Sequence, residues 1–99
     1  MNEKLRDMQM DDLFKAILTL ENVEECYAFF DDLCTISELK AMAQRMQVAR
    51  MLDEKHVYSN VVKETGASTA TISRVNRCLH YGNDGYKTVI ERLKQSEGK

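Results

Sequence analysis

The chain has 99 residues, 30% of them charged and 43% hydrophobic, with four glycines, three cysteines, no proline and no tryptophan. That length gives one domain with a modest core, which a second copy would enlarge by burying apolar surface between subunits. No apolar run approaches the roughly 18 to 20 residues of a membrane span, residues 1–7 lack the apolar stretch of a signal peptide, and Cys26, Cys34 and Cys78 form no C-x-x-C pair, so a cytoplasmic protein with reduced thiols is expected.

Charge is uneven along the chain. Residues 1–39 hold ten acids and three bases, net −7, and residues 40–99 hold eleven bases and six acids, net +5. A basic C-terminal half points one face toward a polyanion. His56 and His80 stand far apart, and no ligand spacing for zinc is present. The residue mix favours helix throughout, so the fold class is all-α.

Leu5, Met8, Leu13, Ile17 and Leu20 predict a first helix near residues 3–20. Asn22 with Glu25 three residues on reads as a capping box for a second helix containing Cys26, Phe29, Phe30 and Leu33. Thr35 with Glu38 is a second box. It opens a helix that places Leu39, Met42, Ala43, Met46, Ala49 and Leu52 on one face. Residues 53–56 are a polar connection. A short helix follows at about 58–65, ended by Gly66, and Ser68 caps another at about 69–80. Residues 81–85 turn the chain into a last helix at about 86–96, capped by Asn83 or Asp84. Six helices with short joints result, with residues 1–53 as dimerisation helices, 57–80 as a helix-turn-helix and 84–96 as a C-terminal helix. The apolar wealth of the first three exceeds what one small core can hide, so a homodimer is expected.

Residues 57–79, VYSNVVKETGASTATISRVNRCL, carry the functional signal. A helix-turn-helix packs two short helices through a tight turn, which Gly66 supplies. Val61, Val62, Thr65, Ala67, Ile72 and Val75 fall at the inward positions. Ser68, Thr69, Ala70, Thr71 and Ser73 are small side chains suited to base edges, thymine methyls and phosphates. Lys63, Arg74 and Arg77 add positive charge beside them, Lys63 and Arg77 for phosphates.

Thr35, the helix containing Arg45, Gly66-Ala67 and Ala70-Thr71-Ile72-Ser73-Arg74 resemble the Trp repressor superfamily, and within it the TrpR-like YerC/YecD group. The resemblance implies an intertwined homodimer built on the first three helices. The helices at about 58–65 and 69–80 would then be a reading head for palindromic double-stranded DNA in a transcriptional regulator, a repressor by default. It also implies a possible effector pocket at Thr35, Arg45, Arg74 and Cys78, because Arg45 and Arg74 match the arginines that hold the family's corepressor, L-tryptophan. Two positions depart from the family: Val75 replaces a glycine and Cys78 a serine. A valine fills ligand space, and a thiol is the poorer hydrogen-bond partner. The residues therefore favour surface roles for Arg45 and Arg74 over tryptophan binding, and no cofactor is expected.

Enzymatic motifs are absent: no glycine-rich phosphate loop and no H-E-x-x-H. Cys78 and His80, two apart on a helix, do not face one another. The alternative to DNA binding is a helix-turn-helix used as a protein-interaction module, with the acidic N-terminal third as its surface.

Overall fold

A computed structural model describes residues 7–98. The helices are α1 (Met8–Ile17), α2 (Val23–Leu33), α3 (Ile36–Asp53), α4 (Tyr58–Thr65), α5 (Thr69–Tyr81) and α6 (Gly85–Glu97), with no strand among the described residues. None of these helices is long and apolar enough to cross a membrane. The chain divides into two compact units, one up to Leu39 and one from Lys40 onward, so the boundary falls inside α3 and coincides with the change in charge sign.

Local chemistry sets most helix ends. Asp7 caps α1 by accepting from the Met10 N–H at 2.7 Å, so the helix starts after the expected residue 3; Leu5 lies outside the described residues. At the other end the Thr19 hydroxyl donates to the Ala16 carbonyl at 2.7 Å, and the Thr19 and Leu20 amides make i−3 bonds that tighten the chain out of helix. The periodic run to Leu20 therefore stops being α-helical at Ile17. Asn22 accepts from the Glu25 N–H at 2.8 Å, as a cap should, but the Glu25 carboxylate reaches back to the Glu21 N–H at 2.9 Å, one residue beyond the expected partner. Thr35 and Glu38 complete their box in both directions, at 3.1 and 2.8 Å. The Thr35 N–H and hydroxyl stabilise the ionised Glu38 and hold its carboxyl below the usual carboxylate range.

The α3–α4 joint is a Schellman turn. The His56 amide donates to the Met51 carbonyl at 3.1 Å and the Lys55 amide to that of Leu52 at 3.0 Å, with Lys55 left-handed at φ 70°. α6 begins after Asp84, also left-handed at φ 63°, whose side chain makes no cap hydrogen bond. The expected capping position is thus occupied, but the expected capping bond is absent.

The core belongs to the C-terminal unit. It comprises Val48, Ala49 and Leu52 of α3, Val61 of α4, Ala67 of the turn, Ile72, Val75 and Leu79 of α5, and Ile90 of α6. Two ion pairs fasten α6 to α3: Arg50–Glu97 at 2.8 Å and Lys94–Asp53 at 2.6 Å. Each carboxylate hydrogen-bonds its cation and raises that cation's pKa. The N-terminal unit is different. No residue of α1 or α2 is buried, and large apolar side chains stand in solvent, Leu18 at 82% and Tyr27 at 70% exposure. Met42 and Ala43 are likewise exposed, so the apolar face expected along α3 is covered only over its second half.

Candidate nucleic-acid interface

The helix-turn-helix consists of α4, a three-residue turn and α5. Gly66 takes the left-handed conformation at φ 71° and its amide closes on the Val62 carbonyl at 2.9 Å. Thr65 consolidates the turn: its hydroxyl donates to the Val61 carbonyl at 2.7 Å and accepts from the Ala67 N–H at 3.1 Å. Of the six expected inward residues, Val61, Ala67, Ile72 and Val75 are buried and Thr65 half-buried. Val62 is exposed instead. Neighbours on a helix are about 100° apart, so Val61 and Val62 cannot both face the core. Val61 does, together with Thr65 one turn on.

α5 has two faces. Ile72, Val75 and Leu79 are inward. Thr69, Ala70, Ser73, Arg74, Arg77 and Tyr81 are exposed, at the spacing of one helical surface. Lys63 is exposed on α4. Among the described residues, Lys63, Arg74 and Arg77 make no ion pair with an acid. Three uncompensated cations beside a row of small side chains form a surface suited to an anionic polymer.

Two of the small residues are already engaged. The Ser68 Oγ accepts from the Thr71 N–H at 3.1 Å and donates to the Thr71 Oγ1 at 3.0 Å. Its proton and the capping lone pair are therefore used within the helix start, and the half-buried Thr71 hydroxyl donates to no other group among the described residues. Thr69, Ala70 and Ser73 carry no such side-chain bond among the described residues and stand open.

Of the possible effector residues in the C-terminal unit, Cys78 lines a groove that Arg45 and Arg74 do not line. An open, mainly apolar groove of about 460 Å³ is lined by Met46, Cys78, Gly82, Asn83, Gly85, Tyr86 and Val89. Cys78 is there; Arg45 and Arg74 are exposed and do not line it. Val75 is 1% exposed, its methyls packed within the core. Thr35 lies in the N-terminal unit, where its hydroxyl and amide are bound to Glu38.

One participant carried no sequence signal. Gln44 of α3 donates from Nε2 to the Thr65 carbonyl at 3.1 Å and so ties α3 to the turn. A glutamine in the run Ala43-Gln44-Arg45 is indistinguishable from a solvated one until its partner, 21 residues away, is placed.

The family model described as Trp repressor protein matches residues 8–94. The chain is 58% identical over 95 residues to YerC of Bacillus subtilis (strain 168), itself uncharacterized, covering 96% of this chain and 91% of that one. A crystal structure described as a candidate Trp repressor from Staphylococcus aureus superposes with a TM-score of 0.90 at 55% identity, over 94% of each chain. A TrpR-like protein from Eubacterium eligens ATCC 27750 also gives a TM-score of 0.90, at 54% identity over 93% of this chain and 95% of that one.

Proposed function

This chain belongs to the Trp repressor family, and from that premise we propose that it is a sequence-specific DNA-binding transcriptional regulator, a repressor, acting as a homodimer on palindromic DNA. The observation that carries the proposal is the exposed face of α5, where Arg74 and Arg77, without an ion pair among the described residues, stand beside Thr69, Ala70 and Ser73 on a helix capped by Ser68. Small polar and methyl-bearing side chains near a recognition-helix N-terminus fit base edges in the major groove. Lys63 and Arg77 would bind phosphates and set the register; Thr69, Ala70, Ser73 and the hydroxyl of Thr71 would read bases, directly or through water. Ser68 serves by holding the helix start.

The dimer is supported by the N-terminal unit. Two amphipathic helices with no buried residue cannot offset their own ordering entropy. Burying Leu18, Tyr27, Phe14 and Leu33 against a second copy supplies the missing apolar burial, at about 1.5–3 kcal/mol for each fully covered side chain. Two-fold symmetry then presents two α5 helices to successive major grooves, one helical turn of DNA apart.

The reading includes no requirement for L-tryptophan. Val75 occupies core space where the family's ligand-side glycine leaves room, and Arg45 and Arg74 are free for surface and phosphate roles. The test is selection from random duplexes with purified protein at near-physiological salt, with and without L-tryptophan. An enriched palindrome with half-sites about one helical turn apart, identical in both conditions, is the expected result. No enrichment in either condition would overturn the DNA reading, and enrichment only with tryptophan would overturn effector independence.

A further inference from the structure

The reading head rests on α3 through apolar packing: Val61, Ala67, Ile72 and Val75 against Val48, Ala49 and Leu52 form one buried cluster. Such packing is strong but non-directional, and it leaves two elements able to rock by small angles. A recognition helix must hold its base-reading side chains to within a fraction of an ångström, so a directional contact is needed somewhere between α3 and the turn.

Among the described residues, a single side-chain hydrogen bond joins α3 to the helix-turn-helix: Gln44 Nε2 to the Thr65 carbonyl, half-buried, at 3.1 Å. The carbonyl is one that α4 leaves without a helical partner, because Gly66 turns the chain away at φ 71°. Thr65 passes the constraint on. Its own hydroxyl accepts from the Ala67 N–H, and Ala67 adjoins Ser68, whose side chain fixes the first turn of α5. A continuous path therefore runs from Gln44 through the backbone of Thr65 and Ala67 to the start of the recognition helix.

We propose that Gln44 is a positioning residue for DNA reading: its amide locks the turn to α3 and holds α5 ready for the major groove with no bound small molecule. The inference rests on the DNA-binding reading above for its consequence, though the lock itself is testable without DNA. Gln44→Met keeps length and volume but removes the donor. Gln44→Ala is a second variant, with the best helix former at a half-buried α3 position, so the helix itself is retained.

Two measurements test it. Amide hydrogen exchange at Gly66 and Ala67 is expected to accelerate by about 3- to 10-fold in both variants, the range set by one net hydrogen bond, while Ile90 in α6 is unchanged. Affinity for the selected palindrome is expected to fall by a similar factor, about 3- to 10-fold, with affinity for a mixed-sequence duplex of equal length altered less than about 2-fold, since phosphate contacts tolerate a loosened helix. Added L-tryptophan is expected to restore neither. Unchanged exchange at Gly66 and Ala67, or acceleration spread evenly over the C-terminal unit, would overturn the lock. Equal loss on both duplexes would overturn the positioning role. If the parent protein selects no duplex at all, the DNA reading fails, and the exchange result still stands or falls by itself.

Discussion

Lys55 and Gly66 occupy the same left-handed conformation, at φ 70° and 71°, with opposite costs. At Gly66 the conformation is native to the residue, and beyond its chain neighbours no heavy atom lies within 4 Å of where a Cβ would project. Gly66→Ala is therefore expected to lose about 1–2 kcal/mol through backbone strain alone, read as a drop in melting temperature, with Gly66→Asn losing less because asparagine tolerates this region. At Lys55 the strain is already present. Lys55→Gly relieves it against the added chain entropy of glycine, and a gain of up to about 1 kcal/mol is expected in denaturant unfolding; a loss would show that the lysine makes a contact worth more than the strain. Gly82 obeys a different constraint: a Cβ there would stand 2.4 Å from the Cys78 carbonyl oxygen, so Gly82→Ala must shift the end of α5.

At the scale of elements, the best-defined helix start is that of α3. Thr35→Ala is expected to cost about 1 kcal/mol, the usual loss for a capping hydroxyl. The other half of the box gives a pH signature. Glu38 is held below its ordinary carboxylate range by the Thr35 N–H and hydroxyl. A depressed folded-state pKa contributes stability that is complete above the unfolded value near 4.5 and is lost as pH falls through the lower folded value. The Thr35 amide resonance should move with acid titration below about pH 4.5, and Glu38→Gln should abolish that movement. For α5, the outward cations define a second element-scale test. Arg77→Ala is expected to weaken binding about equally across duplex sequences and to reduce the salt slope by about one, whereas Ser73→Ala should alter which base is preferred. The capping boxes, Gly66 and the limits of α4 are all legible in the sequence because they depend on residues within four positions of one another. The early end of α1 was not, because the Thr19 hydroxyl competes for a helical carbonyl that periodicity alone would assign to the helix.

The C-terminal unit holds the buried apolar core, whereas among the described residues the N-terminal unit buries none of its side chains. In the homodimer we propose, the exposed side chains of α1 and α2 would be buried against the second copy, and stability would then depend on protein concentration. Raising concentration about 100-fold is expected to add about 2.7 kcal/mol per dimer and to raise the melting temperature by several degrees. A melting temperature independent of concentration, with a monomer in light scattering, would refute the dimer. The ion pairs that tie α6 to α3 matter less at this scale. Their side chains are 28–56% exposed, and pairs in that setting contribute about 0–1 kcal/mol. Lys94→Ala should therefore leave the melting temperature nearly unchanged, while the proposed DNA affinity is expected to fall steeply as salt is raised.

The helical class, the six elements and the position of the helix-turn-helix are legible in the chain alone, because periodicity, caps and a left-handed glycine act over a few residues. So is the family, through the run Ala70-Thr71-Ile72-Ser73-Arg74 and the spacing around it. Packing selects which of two neighbouring valines, Val61 or Val62, faces inward, and it buries Val75 in the core while Arg45 and Arg74 stay outside the groove that holds Cys78. The same holds for Gln44, whose bond to the Thr65 carbonyl joins residues 21 positions apart. The physical reason is common to all of these. Burial and long-range hydrogen bonding depend on which surfaces meet, and a helix presents several faces with similar composition until its neighbours are in place.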